Sequence, residues 1–385
     1  MLVFQAQWSG ATGWSPVERS WDLPAADVVF VFASGKLLRE NSLLESLQRH
    51  SPKAVLFGCS TAGEILGNEV RDDTVAATFV QFSDTRAALH AVPVAEGLES
   101  RQAGICLGQA IDPEGLVHVI VLSDGLHVNG TELVLGLRES LPAGTLVTGG
   151  LAADGDRFSQ TEVLVDGAPR SGMVTALALY GSSLQVGCGS MGGWDQFGPE
   201  RRITRSKGSI LYELDGKSAL GLYKSYLGEH AKELPASGLL FPLGIRAEHQ
   251  SRTVVRTILG VSEEDQSLTF AGDMPEGWYA RLMHANFDRL VDGALGAARS
   301  GRDSVGQEEP ELALLISCVG RKLILKQRVE EEIEAVREAV GERSALMGFY
   351  SYGEIAPFTT ETKCELHNQT MTVTTLRESA RSVAG

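Results

Sequence analysis

Gly58-Cys59-Ser60-Thr61-Ala62-Gly63-Glu64-Ile65 and Gly348-Phe349-Tyr350-Ser351-Tyr352-Gly353-Glu354-Ile355 each place a hydroxyl three residues before a carboxyl. The pairs are Thr61 with Glu64 and Ser351 with Glu354. The hydroxyls could donate or accept hydrogen bonds to a polar ligand, and the carboxyls could hold the loops or meet an ammonium group. In the plainer arrangement each Gly-Glu-Ile caps a strand: the glutamate accepts backbone N–H bonds from its loop and the isoleucine plugs the core. Ser60 beside Cys59 raises nucleophilic chemistry, with Cys318 as a further thiol. A nucleophile elbow needs Gly-x-Ser-x-Gly on a strand-to-helix turn, and Gly63 falls one residue late for Ser60.

More polar groups follow other apolar runs. Ser123 and Asp124 stand where a strand would end and could face a ligand, while Asn129 or Thr131 would cap the next helix. Gly149-Gly150 brings backbone close to a ligand or to another strand. Lacking Gly-x-Gly-x-x-Gly and a helix behind it, that pair marks no dinucleotide site. Arg321 carries the planar fork suited to a carboxylate. Asn368 and Gln369 offer both donors and acceptors, the equipment for reading an amino-acid or amide-like ligand. The eight histidines show no His-x-His or His-Glu-x-x-His metal spacing. His127 and His367 lie within these motifs, and a noncovalent haem needs one axial ligand of that kind.

A repeated pattern must position these groups. Residues 27–65, 117–155 and 312–355 each run from a short apolar, largely β-branched segment to a small polar or sulfur residue: Ser34, Asp124 or Cys318. A helix-length stretch follows, then a second apolar run ending at Gly58, Gly149 or Gly348. In the third segment Val329, Ile333, Val336 and Val340 make one helical stripe. Spans of 24, 25 and 30 residues from strand end to glycine fit β-α-β crossovers. Strands so joined are parallel, and their C-terminal ends gather on one rim, where ligands of α/β sheets bind.

Between the repeats, the texture around Asp166-Gly167 and over 253–283 predicts antiparallel hairpins. Residues 215–229 predict a turn and a helix with Ala219, Leu220, Tyr223 and Leu227 inward. The predicted fold is α/β: two related mixed-sheet halves, 1–200 and 201–385, built from β-α-β repeats with added antiparallel hairpins. The join is expected in the glycine-rich, then basic stretch 189–209, with 201–207 as a solvated connector.

A net charge of −15 argues against a nucleic-acid partner, which needs clustered Lys and Arg. No run reaches the roughly 18–20 apolar residues of a membrane span, and the start lacks a signal peptide's basic and apolar regions. Five scattered cysteines without a Cys-x-x-Cys pair suit a reducing cytoplasm.

The segments VFVFASG, LFGCSTAGEI, LSDG, VTGGLAADG, LYELDGKSAL, ISCVGR, GFYSYGEIAPF and LHNQTMT occur in this order over residues 27–375. Together they resemble the FIST proteins, whose N- and C-terminal domains form a bacterial sensory module. The resemblance implies FIST N-type and C-type domains in the two halves, and a signal-input role with amino-acid-like ligands. It also allows a haem-containing nitric-oxide sensor that regulates a histidine kinase or a cyclic-di-GMP enzyme. The chain departs from the family before Asp27, where Gly10, Gly13, Pro16 and Pro24 truncate an expected helix. The likeness leaves no room for an output domain.

The reading that results is a cytoplasmic, stand-alone, non-catalytic sensor that signals to a separate protein. Its small ligand would meet Ser60, Thr61, Glu64, Ser123, Asp124, Gly149, Gly150, Arg321, Ser351, Glu354, Asn368 and Gln369. The alternatives are a haem sensor using His127 or His367, and a hydrolase or transferase using Ser60 or a cysteine.

Overall fold

Apolar runs with no polar face make strands buried on both sides, and the strand Val28–Ala33 is buried at every position. The computed structural model describes residues 1–379 apart from 17–20, 22–24, 95–98, 250–252, 307 and 361–362. Within it the chain is mixed α/β, with β-α-β repeats and added antiparallel hairpins as expected.

Three copies of one unit are present among the described residues. The first copy pairs Val28–Ala33 with Val55–Ser60 in parallel, with helix Asn41–His50 between them. The second pairs Leu116–Ser123 with Leu146–Leu151 around helix Gly130–Ser140. The third pairs Leu312–Cys318 with Ala345–Ser351 around helix Val329–Val340. A return strand lies antiparallel to each leading strand: Thr74–Gln81, Met173–Tyr180 and Met371–Glu378. Outside each return strand lies one more: Leu2–Ser9, Arg86–Pro93 or Leu184–Met191. In copies two and three a helix follows that outer strand, Ser100–Ala110 and Phe287–Ser304. In copy one the outer strand is followed by the short strand Gly13–Ser15, which pairs with it, and the part of the expected truncated helix at 17–20 and 22–24 lies outside the described residues.

Each copy gives a hairpin to another copy. The strand Glu64–Leu66 of copy one pairs with Ala345–Ser351 of copy three. Val163–Val165 of copy two joins Val55–Ser60 of copy one, and Gly353–Ala356 of copy three joins Leu146–Leu151 of copy two. The exchange is cyclic, and the two halves of the sequence therefore share sheets. The leading strands bury alternate residues in a common core that holds Phe30, Phe32, Ile120, Leu122, Leu314 and Ile316 from all three copies. Burying each such side chain is worth about 1.5–3 kcal/mol.

Between the outer strand and the helix of copy three, an eight-stranded sheet is inserted, running from Trp194–Lys207 to Tyr279–Ala285. The basic stretch 201–207, expected as a solvated connector, is the second half of that 14-residue strand. Helix Ala219–Leu227 packs Ala219, Leu220, Tyr223 and Leu227 inward as predicted.

Candidate functional site

A glycine two or three residues before the end of each second strand allows two backbones to touch. A Cβ on Gly58, Gly149 or Gly348 would lie 1.8, 1.9 or 1.8 Å from the carbonyl oxygen of Val31, Val121 or Leu315 on the neighbouring parallel strand. The space beside Gly150 is likewise filled, by Ile316 at 2.8 Å from a built Cβ.

Beyond these glycines the three loops meet. The Ala62 N–H donates to the Tyr350 carbonyl (2.9 Å), Ala153 N–H to that of Ser60 (2.9 Å), and Tyr352 N–H to that of Leu151 (3.2 Å). Each loop thus bonds to another, and the ring closes.

On this ring the hydroxyl–carboxyl pairs form twice. Thr61 donates to Glu64, whose other oxygen accepts from the Thr74 N–H (3.0 Å) and hydroxyl (2.7 Å). Ser351 donates to Glu354 at 2.7 Å, and Glu354 accepts from the Thr370 N–H (3.2 Å) and hydroxyl (2.9 Å). Ile65 and Ile355 are fully buried, so the capped and plugged strand describes both copies. Asp73 and Gln369, before the two threonines, have left-handed backbone with φ of 54° and 61°, and Gly172 holds this position in copy two at 66°.

Copy two keeps the backbone and changes the chemistry. Strand register puts Val163 where the other copies have glutamate, and Met173 where they have threonine. Asp124 takes over there, accepting from the Gly172 N–H (2.7 Å), the Leu126 N–H (2.8 Å) and the Thr161 hydroxyl (2.9 Å).

Burial pushes Glu64 up to about 7 and Glu354 up to about 8, against the hydrogen bonds their threonine and serine partners supply. Burial also raises Asp124, but its backbone N–H bonds outweigh it and hold the carboxyl below its usual range.

The two pairs differ in what covers them. Thr61 and Glu64 border an open cleft of about 290 Å³, which Asp72, Asp73, Arg157 and Lys322 also line. The Lys322 ammonium donates to the Ala62 carbonyl (2.8 Å) and pairs with Asp72. Ser351 and Glu354 are fully buried. Next to them, Trp194 of the inserted sheet donates to the Gln369 carbonyl (2.9 Å), and Arg256 to that of Leu366 (3.1 Å). Asn368 and Gln369 are fully buried, and among the described residues neither the oxygen nor the nitrogen of either side-chain amide has a hydrogen-bond partner. Leaving such a group unpaired costs about 1–3 kcal/mol.

Other predicted residues have local duties. The Ser60 hydroxyl accepts from the Glu162 N–H (3.0 Å), and the Ser123 hydroxyl donates to the Asp124 carbonyl (3.0 Å). Arg321, expected to hold a ligand carboxylate, is fully buried against Glu332 (Nε 3.0 Å, Nη2 2.8 Å) and donates to the Gly192 and Leu290 carbonyls. A guanidinium without water must be paired this way, and its neighbour Lys322, not Arg321, reaches the cleft. His367 is buried, with Nε2 2.8 Å from the Ala356 carbonyl. His127 is exposed, with Nδ1 3.2 Å from Asp124. Cys59 and Cys318 are buried, and burial pushes both thiols up, away from the reactive thiolate.

Sequence reasoning missed Asp72, Asp73, Arg157 and Lys322. A signal was there: Asp72-Asp73-Thr74 and Asn368-Gln369-Thr370 open their return strands alike.

Comparison with known proteins decides the family. The FIST N domain matches residues 27–217 and the FIST C domain residues 219–357. This chain belongs to the FIST family. FIST domains are signalling sensor domains, which places the chain with sensory proteins. It is 23% identical over 384 residues to an uncharacterized protein of Methanocaldococcus jannaschii, a match spanning 86% of this chain and 70% of that one. A cyanuric acid hydrolase of A. caulinodans aligns at 12% identity over 76% of this chain and 99% of its own. Its TM-score of 0.17 is too low to inform fold or chemistry. Among the described residues no helix is long and apolar enough to cross a membrane.

Proposed function

We propose that this FIST protein is a cytoplasmic sensor of an amino-acid-like zwitterion, which binds in the cleft beside Thr61 and signals to a separate protein such as a histidine kinase or a cyclic-di-GMP enzyme. One observation carries this: a single cleft of about 290 Å³ holds Lys322 and Arg157 together with Asp72 and Asp73. A zwitterion entering there exchanges one set of ion pairs for another. Its carboxylate takes the place beside Lys322 and Arg157, and its ammonium meets Asp72 or Asp73. Lys322 links the cleft to the central ring through the Ala62 carbonyl, so a ligand that draws Lys322 away favours a different arrangement of the loops. Only such differential binding can transmit a signal.

The test is a melting-temperature and calorimetric screen of the free amino acids on the wild type and on Lys322→Met. A bound amino acid at about 100 times its Kd stabilises the wild type by about 2.7 kcal/mol, and Lys322→Met should lose this effect. Finding no stabilisation by any zwitterion overturns the reading.

The haem alternative rests on His127. Its Nδ1 faces the Asp124 carboxylate, the support a metal-binding imidazole commonly uses, whereas the Nε2 of His367 is held by the Ala356 carbonyl. A Soret band on haemin titration that His127→Ala removes would favour it. As an enzyme the protein would need an activated nucleophile, and the buried, raised thiols of Cys59 and Cys318 do not supply one.

A further inference from the structure

A second cleft, of about 340 Å³, lies between copy two and the inserted sheet and is lined among others by His127, Phe158, Leu259, Phe270 and Tyr352. Its charge is low and its walls are largely apolar, unlike the cleft beside Thr61. Phe158 stacks on Tyr352 with ring centroids 4.4 Å apart and planes within 9°. Yet 47% of Phe158 stays exposed, so much of the ring is not covered by protein.

The backbone makes this exposure informative. Phe158 has φ 48°, a conformation that bulky side chains rarely adopt and that costs free energy. The loop is held there by Tyr352. Its hydroxyl donates to Asp154, lies 3.0 Å from the Gly155 carbonyl oxygen and accepts the Phe158 N–H (3.3 Å). A strained residue that leaves a large aromatic face in water gains little from burial. The cleft also has a polar edge. Asp124 occupies Nδ1 of His127, which leaves Nε2 for a partner.

From this geometry we infer that the cleft is a second ligand site, independent of the zwitterion cleft, and that it takes a small, uncharged, planar aromatic ring with a hydrogen-bonding edge. The ring stacks on Phe158 and its polar edge meets His127. The volume, near the lower end of the range of about 300–1,000 Å³ for small-molecule pockets, suits one or two rings. Because residues 125–130, 151 and 158 line it together with 209, 259 and 269–272, an occupant touches the repeat core and the inserted sheet at once.

The test compares benzamide with cyclohexanecarboxamide, which share size, neutrality and amide edge and differ in planarity, by calorimetry and ligand-observed NMR. Wild-type protein should bind benzamide roughly tenfold more tightly, the scale of one aromatic contact. Phe158→Asn should abolish this preference while unfolding at the same or a higher temperature, because asparagine tolerates left-handed backbone. Equal binding of the two amides, binding of neither, or a preference that survives Phe158→Asn overturns the site. A lower melting temperature for Phe158→Asn overturns it too, since the ring would then be a structural plug. So does haemin binding that displaces benzamide and depends on His127. Zwitterions and uncharged amides report on different clefts, so failure of one site does not decide the other.

Discussion

Glu354 is a carboxyl kept largely protonated at neutral pH. Its ordinary value is about 4.5, and burial raises it to about 8. Between those values the folded state holds a proton that the unfolded chain has released, so stability falls as pH rises through the window. Glu64 acts in the same direction up to about 7. His118, buried and pushed down to about 4 from 6.5, acts in the opposite direction below pH 6.5, which leaves pH 6.5–8 as the clean interval. Denaturant unfolding of the wild type should lose on the order of 1 kcal/mol per pH unit more there than Glu354→Gln does. Parallel pH profiles for the two proteins would show Glu354 to be ionised. At this scale part was legible in the sequence: the shared motif located both carboxyls and both hydroxyls, but not that each hydroxyl bonds its own carboxyl. The role expected of Arg321 was not legible, because sequence does not say which of two adjacent cations meets a buried glutamate. The cleft residues Asp72 and Asp73 were hidden by unequal spacing, with 10 residues from Glu64 to Thr74 and 16 from Glu354 to Thr370.

Elements read from periodicity came out well where one face is apolar over several turns. Helix Val329–Val340 buries Ile333, Val336 and Val340, and Asn129 caps the helix it was expected to cap, accepting from the Thr131 and Glu132 N–H groups. Asp166 and Gly167 both have positive φ at the hairpin they signalled. The partner of each hairpin was out of reach, because a three-residue strand has no local feature that names the sheet it joins. Glycine where the paired strands approach most closely is the sharpest element-level requirement. Gly348→Ala puts a methyl 1.8 Å from the Leu315 carbonyl, which forces two paired strands apart. It should destabilise the protein by several kcal/mol or prevent folding, whereas Gly115→Ala, in open space though at φ 70°, should cost about 1 kcal/mol. Equal melting temperatures for the two variants would contradict the close strand approach.

At the scale of the molecule, the family match divides the chain near residue 218, but the sheets do not. The sheet of copy two ends in Gly353–Ala356 and Glu365–His367, and that of copy three begins with Leu184–Met191. We expect residues 1–217 expressed alone to lack a cooperative unfolding transition, because two of its sheets would expose apolar edges. Co-expression with residues 218–385 should restore it. A sharp transition for the isolated segment would show the family halves to be independent domains.

The ring that joins the copies is made of main-chain groups, which every amino acid carries. Side chains around it can therefore change without opening it, and they have: one unit has valine in place of the acid, another is roofed by an insertion, and the first borders an open cleft. A tripled architecture closed by peptide groups lets each mouth diverge towards its own chemistry while its siblings keep the frame standing.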